Sequence, residues 1–287
     1  MVIQTLEKSY VVVKRCGTED GAERFICRDG ETGGLVTLLR VKDRQVIASV
    51  MEYVPSEVPD KIFTDFKGCF VDGAYFCMAM EYHEGMTLGQ RLEREHSALE
   101  ERLEVMHKLL EKAVLLKLPW YFFWDALEPD QVVVSSSLEV EFNYRLRELG
   151  RLSVCGRDQA YGRLAGLMRR LFQREFSRQV VPELEEFCRE LESASDRYEN
   201  CLEVYRRYRE ISEGIAALPP EELKSPRTRP FRLWERVKRG AAGARKLAAL
   251  LLLTAAVVYL IFTVRQAGLP GERQKVFRYI GTLEITE

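Results

Sequence analysis

Between residues 9 and 41 apolar and polar positions alternate with a period of two, broken at regular intervals by turn signals. YVVVKRC is followed by GTEDG, ERFICRD by GETGG, and LVTLLRV closes the series. Such alternation, interrupted by Gly-containing breaks, predicts three antiparallel strands in a meander. After Asp43 the period changes. Val46, Ile47, Val50, Met51 and Val54 recur at helical spacing in RQVIASVMEYV, which predicts a helix. Two more strands are expected at KGCFV and AYFCMAMEY, joined at Asp72-Gly73. Thr87 is placed to cap a short helix in TLGQRLE. Leu99, Leu103, Met106, Leu110, Ala113 and Val114 form the apolar stripe of a longer helix from Ser97 to Leu116, ended by Leu118-Pro119.

FFWDALEPDQVVV, residues 122–134, reads as a loop running into a strand. QVVV, the turn Ser135-Ser136-Ser137 and LEVEFNY then read as a hairpin. From Arg157 onward the pattern is helical: RDQAYGRLAGLMRRLF, PELEEFCRELE, and SDRYENCLEVYRRYREISEGI capped near Ser195. Leu184, Phe187, Leu191, Ala194, Tyr198, Cys201, Tyr205 and Tyr208 form a heptad-like seam, for which core packing is the simpler reading. The expected fold class is α+β in two lobes, a β-rich lobe over about 1–82 and a helical lobe over about 83–216.

Composition narrows the function classes. With 46% hydrophobic and 30% charged residues, a packed core is expected rather than disorder. The net charge of −1 gives no reason to expect nucleic acid as a partner. Seven cysteines without a CxxC pair, and three histidines, argue against a zinc site or a disulfide framework and fit reduced thiols in the cytosol. No metal or cofactor is expected. MVIQTLEKSY at the N-terminus lacks the apolar core of a signal peptide.

Leu247 to Val264, LAALLLLTAAVVYLIFTV, is a run of 18 residues without a charge, close to what a single membrane span requires. Nine Lys or Arg lie between Lys224 and Lys246, Arg245 and Lys246 among them, against the single acid Glu235. The positive-inside rule places the N-terminal side in the cytoplasm. The expected layout is a cytoplasmic domain over 1–216, a Pro-rich and basic juxtamembrane linker over 217–246, the span over 247–264 and a short extracytoplasmic tail over 265–287. Ala248, Ala249, Ala255 and Ala256 allow close helix approach and so a homodimer in the cell membrane. VFRYIGTLEIT, 276–286, alternates as a strand that adds to a partner's sheet would.

MAMEYHEGMTLGQRL, 78–92, resembles the hinge of protein kinases, and FFWDALEPDQVVV stands where their catalytic loop is expected. Aligning H-R-D-L-x-x-x-N on Leu127 and Pro129 puts Trp124 at the His, Asp125 at the Arg, Ala126 at the catalytic Asp and Gln131 at the Asn. The resemblance implies a degenerate site. Ala126 has no proton acceptor, where such a base contributes roughly 10²–10⁴ in rate, and Asp125 is one position early. The D-F-G position falls on Asn143-Tyr144-Arg145, or on Glu141-Phe142-Asn143 if the hairpin is shorter. The plain alternative is a half-buried strand in which Val140, Phe142 and Tyr144 alternate with Glu139, Glu141 and Asn143. CGTEDGAERF retains only Gly17 and Gly21 of a phosphate loop and puts Glu19 and Asp20 where phosphates would sit. VTLLRVK puts Leu39 or Arg40 at the Lys position. About fifteen residues separate Asn143 from Asp158, too few for a full activation segment, and no A-P-E segment is visible.

The order of these parts, with the basic stretch and the span, resembles the EssB/YukC pseudokinase subunits of Gram-positive type VII secretion systems, PDQVVV at 129–134 matching that family's turn and hairpin. That family carries a sizeable domain beyond the membrane, where this sequence has about 23 residues. The resemblance implies a non-enzymatic scaffold or docking subunit whose partners are other membrane or cytoplasmic subunits of a complex. The enzyme-class alternative is a divergent membrane Ser/Thr kinase using Asp125 and Glu141 in shifted roles, or a protein that binds nucleotide without turnover.

Overall fold

The alternating N-terminal segments build one six-stranded antiparallel sheet in a computed structural model. It describes residues 1–5, 8–19, 21–57, 62–94, 97–152, 154–193, 197–219 and 221–224, and beyond these only 256, 259, 261–263 and 265. The strands are β1 (Val2–Gln4), β2 (Ser9–Glu19), β3 (Ala22–Asp29), β4 (Leu35–Val41), β5 (Phe66–Asp72) and β6 (Tyr75–Glu81), in the order β1-β2-β3-β4-β6-β5. Two features differ from the expectation. β1 is an added edge strand, and β2 runs on through Gly17-Thr18-Glu19 rather than ending before them. The pairing continues until Glu19 faces Ala22, with Gly21 at φ +74° supplying the left-handed residue that so tight a turn requires.

Period-two alternation divides the sheet into two faces. Ala22, Leu39, Val41, Met78 and Met80 join the main core. Ile3, Tyr10, Phe25, Cys27, Val36, Leu38 and Ala79 make a smaller cluster on the other face. Helix α1 (Arg44–Glu57) lies between β4 and β5 in the chain and buries Val50 and Tyr53.

The second lobe contains α2 (Leu88–Arg94), α3 (Leu99–Leu115), α4 (Trp120–Ala126), the hairpin β7 (Val132–Val134) and β8 (Val140–Phe142), a 3-10 turn at Leu149–Arg151, α5 (Arg157–Leu171), α6 (Gln173–Arg178), α7 (Pro182–Ser193) and α8 (Cys201–Ala216). The segment WYFFWDA is helical where a loop was expected. Tyr121, Phe122 and Phe123 are all essentially inaccessible, and a helix apolar around its circumference has to be buried. Helix α8 begins after Asn200, whose side chain accepts from Glu203 N at 3.1 Å, and not near Ser195. Leu184, Phe187, Leu191, Tyr198 and Tyr208 are buried in the main core, so the seam is packing within the lobe.

That core is continuous from lobe to lobe. Phe63, leading into β5, contacts Phe122 of α4 with ring centroids 5.0 Å apart, and Tyr53 of α1 meets Tyr121 edge-on at 6.4 Å. By contacts the chain forms two units, 1–227 and 228–287. The expected span Leu247–Val264, with Arg245, Lys246 and the tail, lies outside the described residues apart from the few named above. Among the described residues, no helix is long and apolar enough to cross a membrane.

Candidate functional site

The segment that follows β8, Asn143-Tyr144-Arg145, crosses to the first lobe at three successive residues. Asn143 N–H donates to Gln131 O at 2.7 Å, which closes the β7–β8 ladder. Its side-chain amide then takes over the backbone of His83: Oδ1 accepts from His83 N at 2.8 Å and Nδ2 donates to His83 O at 2.9 Å. Asn143 is 6% exposed, so both polar groups of that peptide are satisfied internally. Tyr144 points the other way. Its hydroxyl donates to Asp65 Oδ2 at 2.7 Å, and its ring packs against Phe63 and Phe122 at 5.8 and 6.0 Å. Arg145 reaches the tip of the β2–β3 hairpin, where Nε lies 3.1 Å from Glu19 Oε2 and Nη2 3.3 Å from Glu19 Oε1. Arg24 holds the same carboxylate at 3.0 Å.

Asp125, at the end of α4, shapes this strap from behind. It is fully buried, and its Oδ2 accepts from Arg145 N at 2.7 Å and Leu146 N at 2.9 Å. Leu146 is held at φ +56°, a left-handed conformation that costs an ordinary residue about 1–2 kcal/mol. The two hydrogen bonds from Asp125 offset that strain. Burial pushes the Asp125 carboxyl above its ordinary range, while the amides of Leu146, Arg145 and Arg147 draw it back in part. The other oxygen, Oδ1, is buried and has no hydrogen-bond partner among the described residues.

The remaining expected residues are dispersed or occupied. Ala126 is buried in the main core. Gln131 serves through its backbone carbonyl. Glu141 is paired with Lys112 and lies 3.5 Å from His83 Nε2. Leu39 occupies the inner face of β4 at 2% exposure. Arg40 lies on the outer face, bonded to Asp72 at 3.1 Å and with its guanidinium 4.0 Å from the Tyr75 ring centroid. The second turn glycine of consequence is Gly85. A Cβ there would lie 2.6 Å from Val133 Cγ1, so the crossing between lobes fits only against a bare backbone.

Asp65, Glu81 and His83 are the described residues whose ligating atoms converge, within 4.8 Å of one another. Tyr144 and Lys67 answer two of the three: Lys67 Nζ lies 2.8 Å from Glu81 Oε2. Sequence reasoning missed this arrangement. Asn143 carries no signal in the alternation beyond being a polar residue on a strand, and Asp65 precedes β5 without any motif.

The Arg145–Glu19 pair is only about a third exposed on each side, 36% and 37%, and such a pair contributes at most about 1 kcal/mol. Arg145→Ala is therefore expected to leave global stability within about 1 kcal/mol while raising hydrogen exchange at the hairpin tip, residues 19–23. Mass spectrometry of exchanged peptides reads both.

No family model and no curated protein matches this sequence. Solved structures do. The kinase domain of PknI from Mycobacterium tuberculosis, as a single-substitution variant, aligns over 71% of this chain and 95% of its own at 14% identity with a TM-score of 0.50. A double-substitution variant of that domain aligns over 71% and 96%, again at 14% identity, with a TM-score of 0.48. The fold is protein kinase-like. In the terms of that fold the β-rich lobe is the N-lobe, and Asn143-Tyr144-Arg145 directly follow the β7–β8 hairpin.

Proposed function

We propose that this chain is a catalytically inactive, kinase-like docking subunit of a membrane complex, tethered by residues 247–264 with its kinase-like domain in the cytoplasm. One observation carries the reading: the side chain of Asn143 satisfies both backbone groups of His83. Those groups belong to the strand-like crossing between the lobes, where an incoming base would have to find its donor and acceptor. The arrangement around it is consistent. Glu19 is held by Arg145 and Arg24 at the hairpin tip, opposing a triphosphate both by charge and by occupancy. Ala22, Leu39 and Met80 on the inner face of the sheet are already buried. Phosphoryl transfer depends on positioned metal ions, a lysine and a base, and this chain has replaced those groups with contacts between its lobes. A rigid two-lobed body on a membrane tether is suited to presenting surfaces to other subunits. The assignment to type VII secretion rests on the resemblance to EssB/YukC subunits.

Titration of the purified full chain with Mg-ATP in a thermal-shift assay tests this. The expected result is no saturable rise in Tm into the millimolar range, where a ligand at 100 times its Kd would add about 2.7 kcal/mol. Saturable stabilisation lost on Glu141→Ala, together with autophosphorylation, would overturn the proposal. Co-purification of membrane subunits with the detergent-solubilised chain tests the docking role.

A further inference from the structure

β5 is the last strand on its side of the sheet. One edge pairs with β6, and among the described residues no backbone hydrogen bond reaches the other edge between Lys67 and Asp72. Beside that edge lies an apolar groove of about 580 Å³ between α1 and the β5–β6 hairpin, with Ile47, Val54 and Cys69 in its wall. Two residues at its rim are conspicuously bare: Met51 of α1 is 56% exposed and Val71 of β5 is 68% exposed. The period of two puts Cys69 and Val71 on the α1 side, while Phe70 turns to the other face and stacks on Tyr10 at 5.5 Å.

Free strand edges are ordinarily guarded by charges, bulges or covering elements. β5 is guarded only at its ends. A bulge falls between Phe66 and Gly68, Lys67 is engaged with Glu81 and Asp72 with Arg40. The centre, Cys69-Phe70-Val71, carries no charge, and among the described residues no backbone group pairs with its outer edge.

We propose that this edge joins two copies of the chain, β5 pairing antiparallel with β5 of a second copy about a two-fold axis at Phe70. A free edge selects a strand, and the two-fold operation makes this strand its own complement. With Phe70 opposite Phe70, Cys69 of each copy faces Val71 of the other, so two apolar pairs form on the α1 side. Lys67 then faces Gly73, and Asp72 faces Gly68. Moving the axis to Cys69 sets Lys67 against Val71, and moving it to Val71 sets Phe70 against Asp72. Only the Phe70 axis keeps charge away from apolar side chains. Because the axis is perpendicular to the joined sheet, both α1 helices lie on one face and bring Met51 toward Met51 across it. This inference is independent of the docking role, and it locates a homodimer contact in the N-lobe rather than in the span.

Disulfide trapping of the full chain in detergent tests the register. Val71→Cys treated with diamide, which accepts the two thiol hydrogens, is expected to yield a covalent dimer several-fold above the wild-type level. The dimer is expected to disappear in Val71→Cys/Cys69→Ser, to return when that double variant is mixed with wild-type chain, and to persist in Val71→Cys/Cys16→Ser. Light scattering is expected to show a dimer for wild type and a monomer for Val71→Asp, a change at an exposed position that the fold tolerates. A monomeric wild type, a Val71→Asp protein that stays dimeric, or a trapped dimer that survives Cys69→Ser would each overturn the proposal.

Discussion

Asp125→Ala is expected to lower folding stability by about 2–5 kcal/mol, because it strands two buried backbone N–H donors at about 1–3 kcal/mol each. The donors are those of Arg145 and Leu146, 2.7 and 2.9 Å from Asp125 Oδ2. Asp125→Asn retains an acceptor oxygen and removes a charge whose burial is unfavourable, so its loss is expected within about 2 kcal/mol. The pH dependence separates the two effects. Burial raises the folded pKa of Asp125 above its unfolded value. Its contribution is therefore fully present below the ordinary carboxylate pKa and is lost as pH rises through the folded value. The advantage of wild type over Asp125→Asn should shrink on going from about pH 4 to about pH 8. Urea denaturation of both variants at the two pH values reads this directly. An advantage that grew with pH would mean that the carboxylate is held ionised, contrary to the surroundings described for it.

Tyr144→Ala is expected to cost a comparable or larger amount, about 3–5 kcal/mol for deleting a buried aromatic ring. Tyr144 is 1% exposed and lies among Phe63, Phe122 and Asp65. Tyr144→Phe isolates the hydroxyl, with a loss of about 1–3 kcal/mol from leaving Asp65 without that donor. Burial raises the Asp65 carboxyl, and the Tyr144 hydroxyl is the first of the influences that lower it again. Without the hydroxyl the folded pKa rises further. Stability carried by this group, present at acid pH, is then lost from a larger reservoir as pH rises, so the deficit of Tyr144→Phe should be greater at about pH 7 than at about pH 4. Denaturation of wild type and Tyr144→Phe across that range measures it, and equal deficits at the two ends would remove Asp65 from the account.

Both variants act on one device. That device is the strap Asn143-Tyr144-Arg145, which Asp125 supports through the amides of Arg145 and Leu146. The proposed docking role has a use for a fixed geometry, since a partner then meets a preformed shape.

The local periodicities of this sequence determine its elements. Period-two runs became β2 to β6, the 44–54 stripe became α1, and the long stripe after Ser97 became α3, because each pattern needs only neighbouring residues to declare which face is apolar. Where local pattern was weak or self-contradictory it misled. The three-residue β1 is too short to show alternation, and the aromatic run at 120–124 has no polar face from which to tell helix from loop. The kinase-like order of strands, crossing and hairpin was legible as well. The strap was not. Asn143 meets His83 across 60 residues, Tyr144 meets Asp65 across 79, and Arg145 meets Glu19 across 126. No periodicity encodes a pairing at such separation, since it exists only once the sheet and the helical lobe have packed and closed the distance. The surroundings of Asp125 were likewise decided by packing: its burial and its two backbone donors exist only once α4 and the strap have come together.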